Sequence, residues 1–262
     1  MNLEKLTNQV CDLAIETGNF ISNEVNRLRS SDIETKSANN FVTYVDKQSE
    51  ERLVAGLSLI LPGSGFIAEE NPSLQAQELT WIIDPLDGTT NFIHGVPVYC
   101  ISIGLMDKKE MILGVIYEIN LKECFYTWKD APAYLNGNPI QVTNAAKLAN
   151  TLFATGFPYY DYGRLDPYLN FFKYMMQNSH GIRRLGSAAA DLAYVACGRF
   201  DGFYEYGLSP WDVAAGALIV KNAGGRVSDF KGGIDFIFGK EIIASNANVF
   251  DEFSEAFTKN FI

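Results

Sequence analysis

The sequence predicts an α/β (α+β) protein built in layers, with a different kind of sheet in each half. Helical apolar stripes run over 2–29 and 46–59, so two amphipathic helices are expected early in the chain. Over 98–142, short β-leaning runs are separated by turn residues, which is typical of an antiparallel sheet. Strands and helices then alternate, which predicts a mixed or partly parallel sheet. We therefore expect an α+β half over 1–147 and an α/β half over 148–262.

Composition and charge narrow the function classes. The 262 residues are 47% hydrophobic and carry a formal net charge of −10 at pH 7. A chain of this length buries a large core, and this charge repels nucleic acid and anionic membranes, so we expect no nucleic-acid partner. An anionic substrate is repelled as well, unless bound metal ions invert the local field.

Cysteine usage and the N-terminus indicate the compartment. Cys11, Cys100, Cys124 and Cys197 are scattered and lack a Cys-x-x-Cys spacing, which is typical of free thiols in a reducing environment. No basic segment followed by an apolar run opens the chain, and no apolar run approaches the ~20 residues that cross a bilayer. We therefore expect a cytoplasmic protein without a transmembrane segment.

Two expectations concern local structure before the first sheet. The polar stretch 34–40 shows no periodicity and is interpreted as a loop. Asp46 stands where the second helix begins and is expected to be its N-cap, a role that does not exclude a functional one.

A cluster of acids follows the predicted strand 81–83. The strand is expected to break at Pro85, and both Asp84 and Asp87 are expected on the turn there. Carboxylates crowded at a strand end repel each other and need a cation, and oxygen ligands favour Mg²⁺ over Zn²⁺. An acidic turn that caps a helix is the alternative. It does not explain why Glu69 and Glu70 end the neighbouring predicted strand.

The second half of the chain contributes one more acid to the expected metal ligands. Asp212 begins a helix of small residues, where it is equally well explained as an acid that stabilises the helix dipole. Together with the first-half acids it forms a donor set too rich for one Mg²⁺ and suited to two or three ions that clamp a phosphoryl group. The expected metal ligands are Glu69, Asp84, the Leu86 carbonyl, Asp87 and Asp212.

Six short motifs follow one another along 41–247. The two most specific are Trp-Ile-Ile-Asp-Pro-Leu-Asp-Gly-Thr-Thr-Asn-Phe at 81–92 and Trp-Asp-Val-Ala-Ala-Gly at 211–216. The others are Val-Thr-Tyr-Val-Asp at 42–46, Ala-Glu-Glu at 68–70, Arg-Leu-Gly-Ser-Ala-Ala at 184–189 and Tyr-Glu-Tyr-Gly at 204–207. In this order they resemble the motifs of the inositol monophosphatase family of Mg²⁺-dependent, Li⁺-sensitive phosphatases. The resemblance implies a layered α-β-α-β-α sandwich that forms a homodimer.

The resemblance also implies roles for individual residues. It repeats the metal ligands given above and makes Thr89, paired with Asp46, the group that positions and deprotonates the attacking water. Glu69 would help to hold a third metal ion and that water. The remaining implied contacts are Gly88 and Thr89 to the phosphate, and Gly186, Ser187, Ala188 and Glu205 on the hydroxyl side of the substrate.

These observations predict a Mg²⁺-dependent phosphomonoesterase that acts on a phosphorylated polyol, with myo-inositol monophosphate as the expected substrate. Phosphatidylinositol phosphate, fructose 1,6-bisphosphate, histidinol phosphate and an adenosine bisphosphate are alternative substrates for the same chemistry. A non-enzymatic regulatory binding module is the alternative from another class. The aromatic segment 157–176 is expected to pack as a helix and contribute to a dimer interface, or to form an apolar rim for a lipid-linked substrate.

Overall fold

The computed structural model describes residues 1–25, 27–37, 40–157 and 161–261. Within them the helices are α1 (Leu3–Glu24), α2 (Tyr44–Ile60), α3 (Thr89–His94), α4 (Leu165–Asn178), α5 (Ala188–Ala196), α6 (Pro210–Asn222) and α7 (Phe250–Phe261). The strands are β1 (Ile33–Ser37), β2 (Asn40–Thr43), β3 (Gly65–Ala68), β4 (Leu79–Asp87), β5 (Cys100–Asp107), β6 (Glu110–Glu118), β7 (Glu123–Trp128), β8 (Ala133–Leu135), β9 (Asn138–Ile140), β10 (Leu152–Thr155), β11 (Gly181–Arg183), β12 (Gly202–Tyr206), β13 (Gly225–Ser228) and β14 (Glu241–Asn246).

These elements stack as the predicted α-β-α-β-α sandwich. Helices α1 and α2 cover one face of the first sheet, whose strand order is β3-β4-β5-β6-β7-β8-β9. Helices α5 and α6 lie between the two sheets and contact both. Helices α4 and α7 cover the outer face of the second sheet, whose order is β11-β10-β12-β14-β13. Because α5 and α6 contact both sheets, they bring groups from both halves of the chain together.

Strand directions agree with the expectation for each half, with one addition. The first sheet is antiparallel except that β3 runs parallel to β4. In the second sheet β10 is parallel to β11 and β12, while β14 is antiparallel to β12 and β13. The first sheet ends at Ile140 and the second begins at Leu152. The division into 1–147 and 148–262 stays a prediction.

Two local expectations were wrong. The stretch 34–40 is not wholly a loop, because Ile33–Ser37 forms β1 and pairs with β2, an antiparallel ribbon that its polar sequence does not indicate. Helix α2 begins two residues before Asp46, and its N-cap is Thr43. Asp46 is the third helical residue and accepts the Thr43 backbone N–H, which completes a capping box.

The two central helices are built from small residues for a steric reason. A Cβ at Gly114 of β6 would lie 2.8 Å from the Ala215 carbonyl of α6, so strand and helix backbones nearly touch. A Cβ at Gly216 would lie 2.6 Å from the Leu192 side chain of α5. Small residues at these contacts let the N-terminus of α6 approach the first sheet closely.

The aromatic segment packs against the second sheet, as expected. Tyr168 and Phe171 of α4 are buried among Tyr204, Phe253 and Phe257, with edge-to-face contacts between several of the rings. Within 157–176, Pro158 lies outside the described residues, as do Tyr159 and Tyr160. No helix in the described part of the chain is long and apolar enough to cross a bilayer.

Candidate active site

The first acidic motif lies along the end of β4. The strand does not break at Pro85 as expected but continues to Asp87, with a shift of register between the two aspartates. The Asp84 carboxylate accepts the Leu86 backbone N–H at 2.9 Å. Gly88 follows with φ at 97°, a conformation that favours glycine, and turns the chain into α3.

Asp87 connects β4 to the start of α5. One of its oxygens accepts both the Ser187 hydroxyl and the Ala189 backbone N–H at 2.7 Å. Asn91, in the same motif as Asp87, donates to the Leu185 carbonyl at 2.7 Å. Two motifs about a hundred residues apart in the chain are therefore joined by direct hydrogen bonds.

Asp46 and Thr89 form a buried pair beside this strand end. The Thr89 hydroxyl lies 2.9 Å from Asp46 Oδ1 and 3.0 Å from the Leu86 carbonyl, two acceptors for its one proton. Asp46 Oδ2 accepts the Thr43 hydroxyl at 2.6 Å. Burial raises the pKa of Asp46, although these hydrogen bonds oppose the shift.

Asp212 lies on α6, in the other half of the chain. It is the third helical residue, and its carboxylate accepts the Ser209 backbone N–H at 2.7 Å. The Trp211 carbonyl accepts the Ser102 hydroxyl of β5 at 2.9 Å, which fixes this helix end against the first sheet. Asp212 therefore takes part in a helix cap, and it also lines the cavity that contains Asp84 and Asp87 of β4.

These acids repel one another in a buried place. Burial raises the pKa of Asp84 well above its ordinary value, and the charges of Glu69, Asp87 and Asp212 raise it further. Burial also raises the pKa of Asp212 well above its ordinary value and that of Asp87 to about 6. Repulsion among these carboxylates favours the binding of a cation, which neutralises their negative charge.

The donor set fits a hard divalent cation. All the expected ligands are carboxylate or carbonyl oxygens, which suit Mg²⁺. As the described side chains are placed, no three acidic, histidine or cysteine groups converge closely enough to hold an ion by themselves.

A single cavity of about 190 Å³ brings the expected residues together. Asp46 does not line it and lies behind Thr89. Among the described lining residues, Arg184 is the one cation beside seven carboxylates. The expected residues that line the cavity are Glu69, Asp84, Leu86, Asp87, Gly88, Thr89, Gly186, Ser187, Ala188, Glu205 and Asp212.

Glu205, on β12, lines the same cavity. It is buried, and burial raises its pKa to about 8, while the positive charge of Arg184 opposes the shift. Sequence reasoning missed Asp191 and Gly156, which also line the cavity. No local pattern indicates either residue, because their partners lie on other elements.

Comparison with known proteins decides the family. The inositol monophosphatase family model matches residues 2–259. The chain belongs to the inositol monophosphatase family. It is 38% identical over 243 residues to the inositol-1-monophosphatase of Mesorhizobium japonicum, covering 92% of this chain and 91% of that protein. It is 39% identical over 254 residues to the Nus factor SuhB of Pseudomonas aeruginosa, covering 95% of this chain and 94% of that protein.

Solved structures of family members share the fold. The extragenic suppressor protein suhB of Bartonella henselae superposes with a TM-score of 0.92 at 35% sequence identity. The match covers 97% of this chain and 99% of the other. The predicted family and fold class are thereby confirmed.

In this inositol monophosphatase family member, Mg²⁺ is expected to stabilise the fold more at high pH than at low pH. The folded pKa of Asp87, about 6, lies above its unfolded value, so without metal this group stabilises the fold at low pH. That contribution is lost as pH rises through about 6, where the carboxylate becomes charged and a cation gains a binding partner. Excess Mg²⁺ should therefore raise the melting temperature by about 5 °C or more near pH 8, and by less near about pH 5.5.

Scanning calorimetry in EDTA and in saturating Mg²⁺ at the two pH values measures this difference. Asp84→Asn should remove most of the shift, because it removes an expected ligand and lowers the negative charge. An equal shift at both pH values, or none, contradicts a cation site at these carboxylates.

Proposed function

We propose that this protein is a Mg²⁺-dependent phosphomonoesterase that hydrolyses a phosphorylated polyol, with myo-inositol monophosphate as substrate. The observation that carries the proposal is the meeting of Asp84 and Asp87 from one half with Asp212 from the other, in a cavity that also contains Glu205. One end suits metal-bound phosphate and the other suits hydroxyl groups.

The metal ligands in this proposal are the oxygen donors at the acidic end of the cavity. When bound, two or three Mg²⁺ ions neutralise the phosphoryl oxygens, lower the pKa of a bound water and stabilise the leaving oxygen. The residues that hold them are Glu69, Asp84, the Leu86 carbonyl, Asp87 and Asp212.

Thr89 and Asp46 provide the route for the proton. The Thr89 hydroxyl donates to Asp46, so its oxygen can take the proton of a water held near Glu69 while its own proton passes to the Asp46 carboxylate. Burial raises the pKa of Asp46, which makes it a better proton acceptor than an exposed carboxylate. In this proposal Gly88 and Thr89 hold the phosphate oxygens through their backbone N–H groups.

The substrate hydroxyls lie against Gly186, Ala188 and Glu205. Ser187 has a narrower role than expected from its position, because its hydroxyl donates to Asp87 and accepts the Ala190 backbone N–H at 3.3 Å. It orients Asp87 and leaves Glu205 as the main acceptor for hydroxyls. A carboxyl group that stays partly protonated near neutral pH both donates to and accepts from a polyol.

A homodimer and sensitivity to Li⁺ also belong to the proposal. Two apolar side chains, Leu169 and Met176, are exposed on the outer surface of α4, where a second copy of the chain has apolar area to cover. Competition of Li⁺ with Mg²⁺ is proposed from the family resemblance.

Phosphate release with Mg²⁺ across a substrate panel tests the proposal. The panel contains free inositol 1-phosphate, phosphatidylinositol phosphate, fructose 1,6-bisphosphate, histidinol phosphate and adenosine 3′,5′-bisphosphate. We expect kcat/KM to be highest for free inositol 1-phosphate. Faster turnover of another member contradicts the substrate assignment, and release of phosphate in EDTA contradicts the metal-dependent chemistry.

A regulatory binding module is the second candidate function. The observation that favours it is the relative named Nus factor SuhB, which matches this chain over almost its whole length. Binding of Mg²⁺ without release of phosphate from any panel member would support this function. Turnover of inositol 1-phosphate that is lost in Asp84→Asn would show that the cavity is catalytic, whatever else the surface binds.

A further inference from the structure

Glu50 is a buried acid of α2 that binds the chain just beyond β3. The residue is 4% exposed, and its Oε2 atom accepts the Glu70 backbone N–H at 2.8 Å. Leu53 and Leu57 continue the same face of the helix and are fully buried, so apolar side chains suit this face. Burying a carboxyl group costs free energy, and packing alone does not account for an acid at this position.

The segment that Glu50 holds lies outside the sheet. Strand β3 is at the edge of the first sheet, and its pairing with β4 ends at Ala68, opposite Ile83. Glu69 and Glu70 follow that last pair, so the strand ladder does not fix their backbone. The Glu70 N–H belongs to the planar peptide group that joins it to Glu69. The hydrogen bond to Glu50 therefore fixes the backbone directly beside Glu69.

Glu69 is the member of this segment that lines the cavity. In the proposed function its carboxylate binds a metal ion and holds the attacking water. Its position follows that of the backbone that carries it, and a displacement of about 1 Å at such a group is enough to slow a reaction strongly. The geometry of Glu69 thus depends on Glu50, which does not itself line the cavity.

Asp46 is the counterpart of Glu50 on the same helix. The two acids are four residues apart, lie on one face of α2 and are both buried. Asp46 contacts the Thr89 hydroxyl at 2.9 Å, and Glu50 holds the backbone beside Glu69. The first two turns of α2 therefore hold both groups that the proposed function places at the attacking water.

We infer that Glu50 is a positioning residue, which acts through the Glu70 backbone and holds the Glu69 carboxylate where it binds Mg²⁺ and the attacking water. The inference rests on the proposed phosphatase function and adds to it a residue from outside the cavity. Loss of a hydrogen-bonded partner behind a metal ligand typically costs about 10-fold to 100-fold in metal affinity or activity.

Glu50→Met tests the inference, because methionine keeps an unbranched side chain of similar length and removes the acceptor. Isothermal titration calorimetry without substrate should show a Mg²⁺ dissociation constant raised about 10-fold. At saturating Mg²⁺, kcat for inositol 1-phosphate should fall about 10-fold with little change in KM, since the substrate does not contact Glu50. Glu50→Ala serves if the methionine variant does not fold.

Glu50→Gln distinguishes the hydrogen bond from the negative charge. The glutamine amide oxygen still accepts the Glu70 N–H, although the charge is gone. The Mg²⁺ dissociation constant and kcat should therefore stay within about 3-fold of those of the unchanged protein. If Glu50→Gln is impaired as much as Glu50→Met, the charge is the cause and the positioning role is wrong.

Glu252→Met is the matched control. Glu252 Oε2 accepts the Leu148 backbone N–H, also at 2.8 Å. It lies on α7, on the outer face of the second sheet, and does not line the cavity. The same kind of contact is lost in this variant, which should keep its Mg²⁺ dissociation constant and its kcat.

Combining Glu50→Met with Glu69→Gln tests the route from one residue to the other. If Glu50 acts through Glu69, the methionine substitution should change the Mg²⁺ dissociation constant of Glu69→Gln by less than about 2-fold. Full losses that multiply in the double variant contradict this route.

A merely structural role of Glu50 gives a different result. The melting temperature of the metal-free Glu50→Met variant would then fall while its Mg²⁺ dissociation constant and kcat stayed unchanged, which overturns the inference. Failure of the proposed function is distinguishable from this, because then the unchanged protein releases no phosphate from inositol 1-phosphate in Mg²⁺. Calorimetry on the variants does not depend on turnover and still shows whether Glu50 supports metal binding.

Discussion

Asp84→Asn is expected to lower kcat by about 10³-fold or more while the chain stays folded. Asp84 is 2% exposed and is repelled by Glu69, Asp87 and Asp212. Asparagine keeps the volume and the oxygen that accepts the Leu86 N–H, but it removes the negative charge that Asp84 would supply as a proposed metal ligand. Phosphate release from inositol 1-phosphate at saturating Mg²⁺ measures the loss.

The same substitution should not destabilise the metal-free protein above pH 7. Burial and repulsion raise the folded pKa of Asp84, so its charged form lowers stability as pH rises, and removing the charge relieves this effect. Asp212→Asn, in the other half of the chain, should have the same effects on kcat and on the stability of the metal-free protein. Asp107→Asn at the far end of β5, outside the cavity, is the control and should keep its activity. Full activity in Asp84→Asn contradicts the proposed site.

Thr89→Val is expected to lower kcat about 10²-fold to 10³-fold with a small change in KM. Valine has the shape of threonine but lacks the hydroxyl that contacts Asp46 and the Leu86 carbonyl. Asp46 then loses one hydrogen bond in a buried place, which should also lower the free energy of unfolding by about 1–3 kcal/mol. Kinetics and urea unfolding of the same variant measure both effects.

Thr89→Ser distinguishes the role of the Thr89 hydroxyl in proton transfer from the role of its methyl group in packing. Serine keeps the hydroxyl and loses only a methyl group, so it should restore most of kcat. If Thr89→Ser is as slow as Thr89→Val, the hydroxyl is not the group that matters. If Thr89→Val is fast, the pair formed with Asp46 has no part in the chemistry.

The acids of the site were predictable because their chemistry is local. Asp84 and Asp87 follow an apolar strand within one short motif, and Asp212 begins a helix whose small residues show that it packs closely. Hard oxygen donors without histidine or cysteine partners indicate the kind of metal without any knowledge of distances. The two sheets were predictable for the same reason, because strand-forming runs, turn residues and the alternation of strands with helices are visible within short segments of the sequence.

The features of the fold and of the site that the sequence did not predict depend on contacts between segments that are distant in the chain. Asn91 holds the Leu185 carbonyl 94 residues away, and its own sequence does not indicate that partner. From the sequence, Asp191 cannot be distinguished from an exposed acid on a helix, and only the structure shows that it is buried. The β1–β2 ribbon was missed because its strands have polar sequences and gain stability from pairing rather than from an apolar face. Thr43 replaced Asp46 as the cap because either residue type suits that position.

Titration of Mg²⁺ into metal-stripped protein with inositol 1-phosphate, with release of inorganic phosphate as the readout, tests the central claim most directly. The account predicts no release in EDTA, release that rises to saturation with Mg²⁺, and release slowed by about 10³-fold or more at every Mg²⁺ concentration in a folded Asp84→Asn variant. Release of phosphate without metal, or the same release in Asp84→Asn, would contradict a metal-dependent site at the meeting point of the two halves.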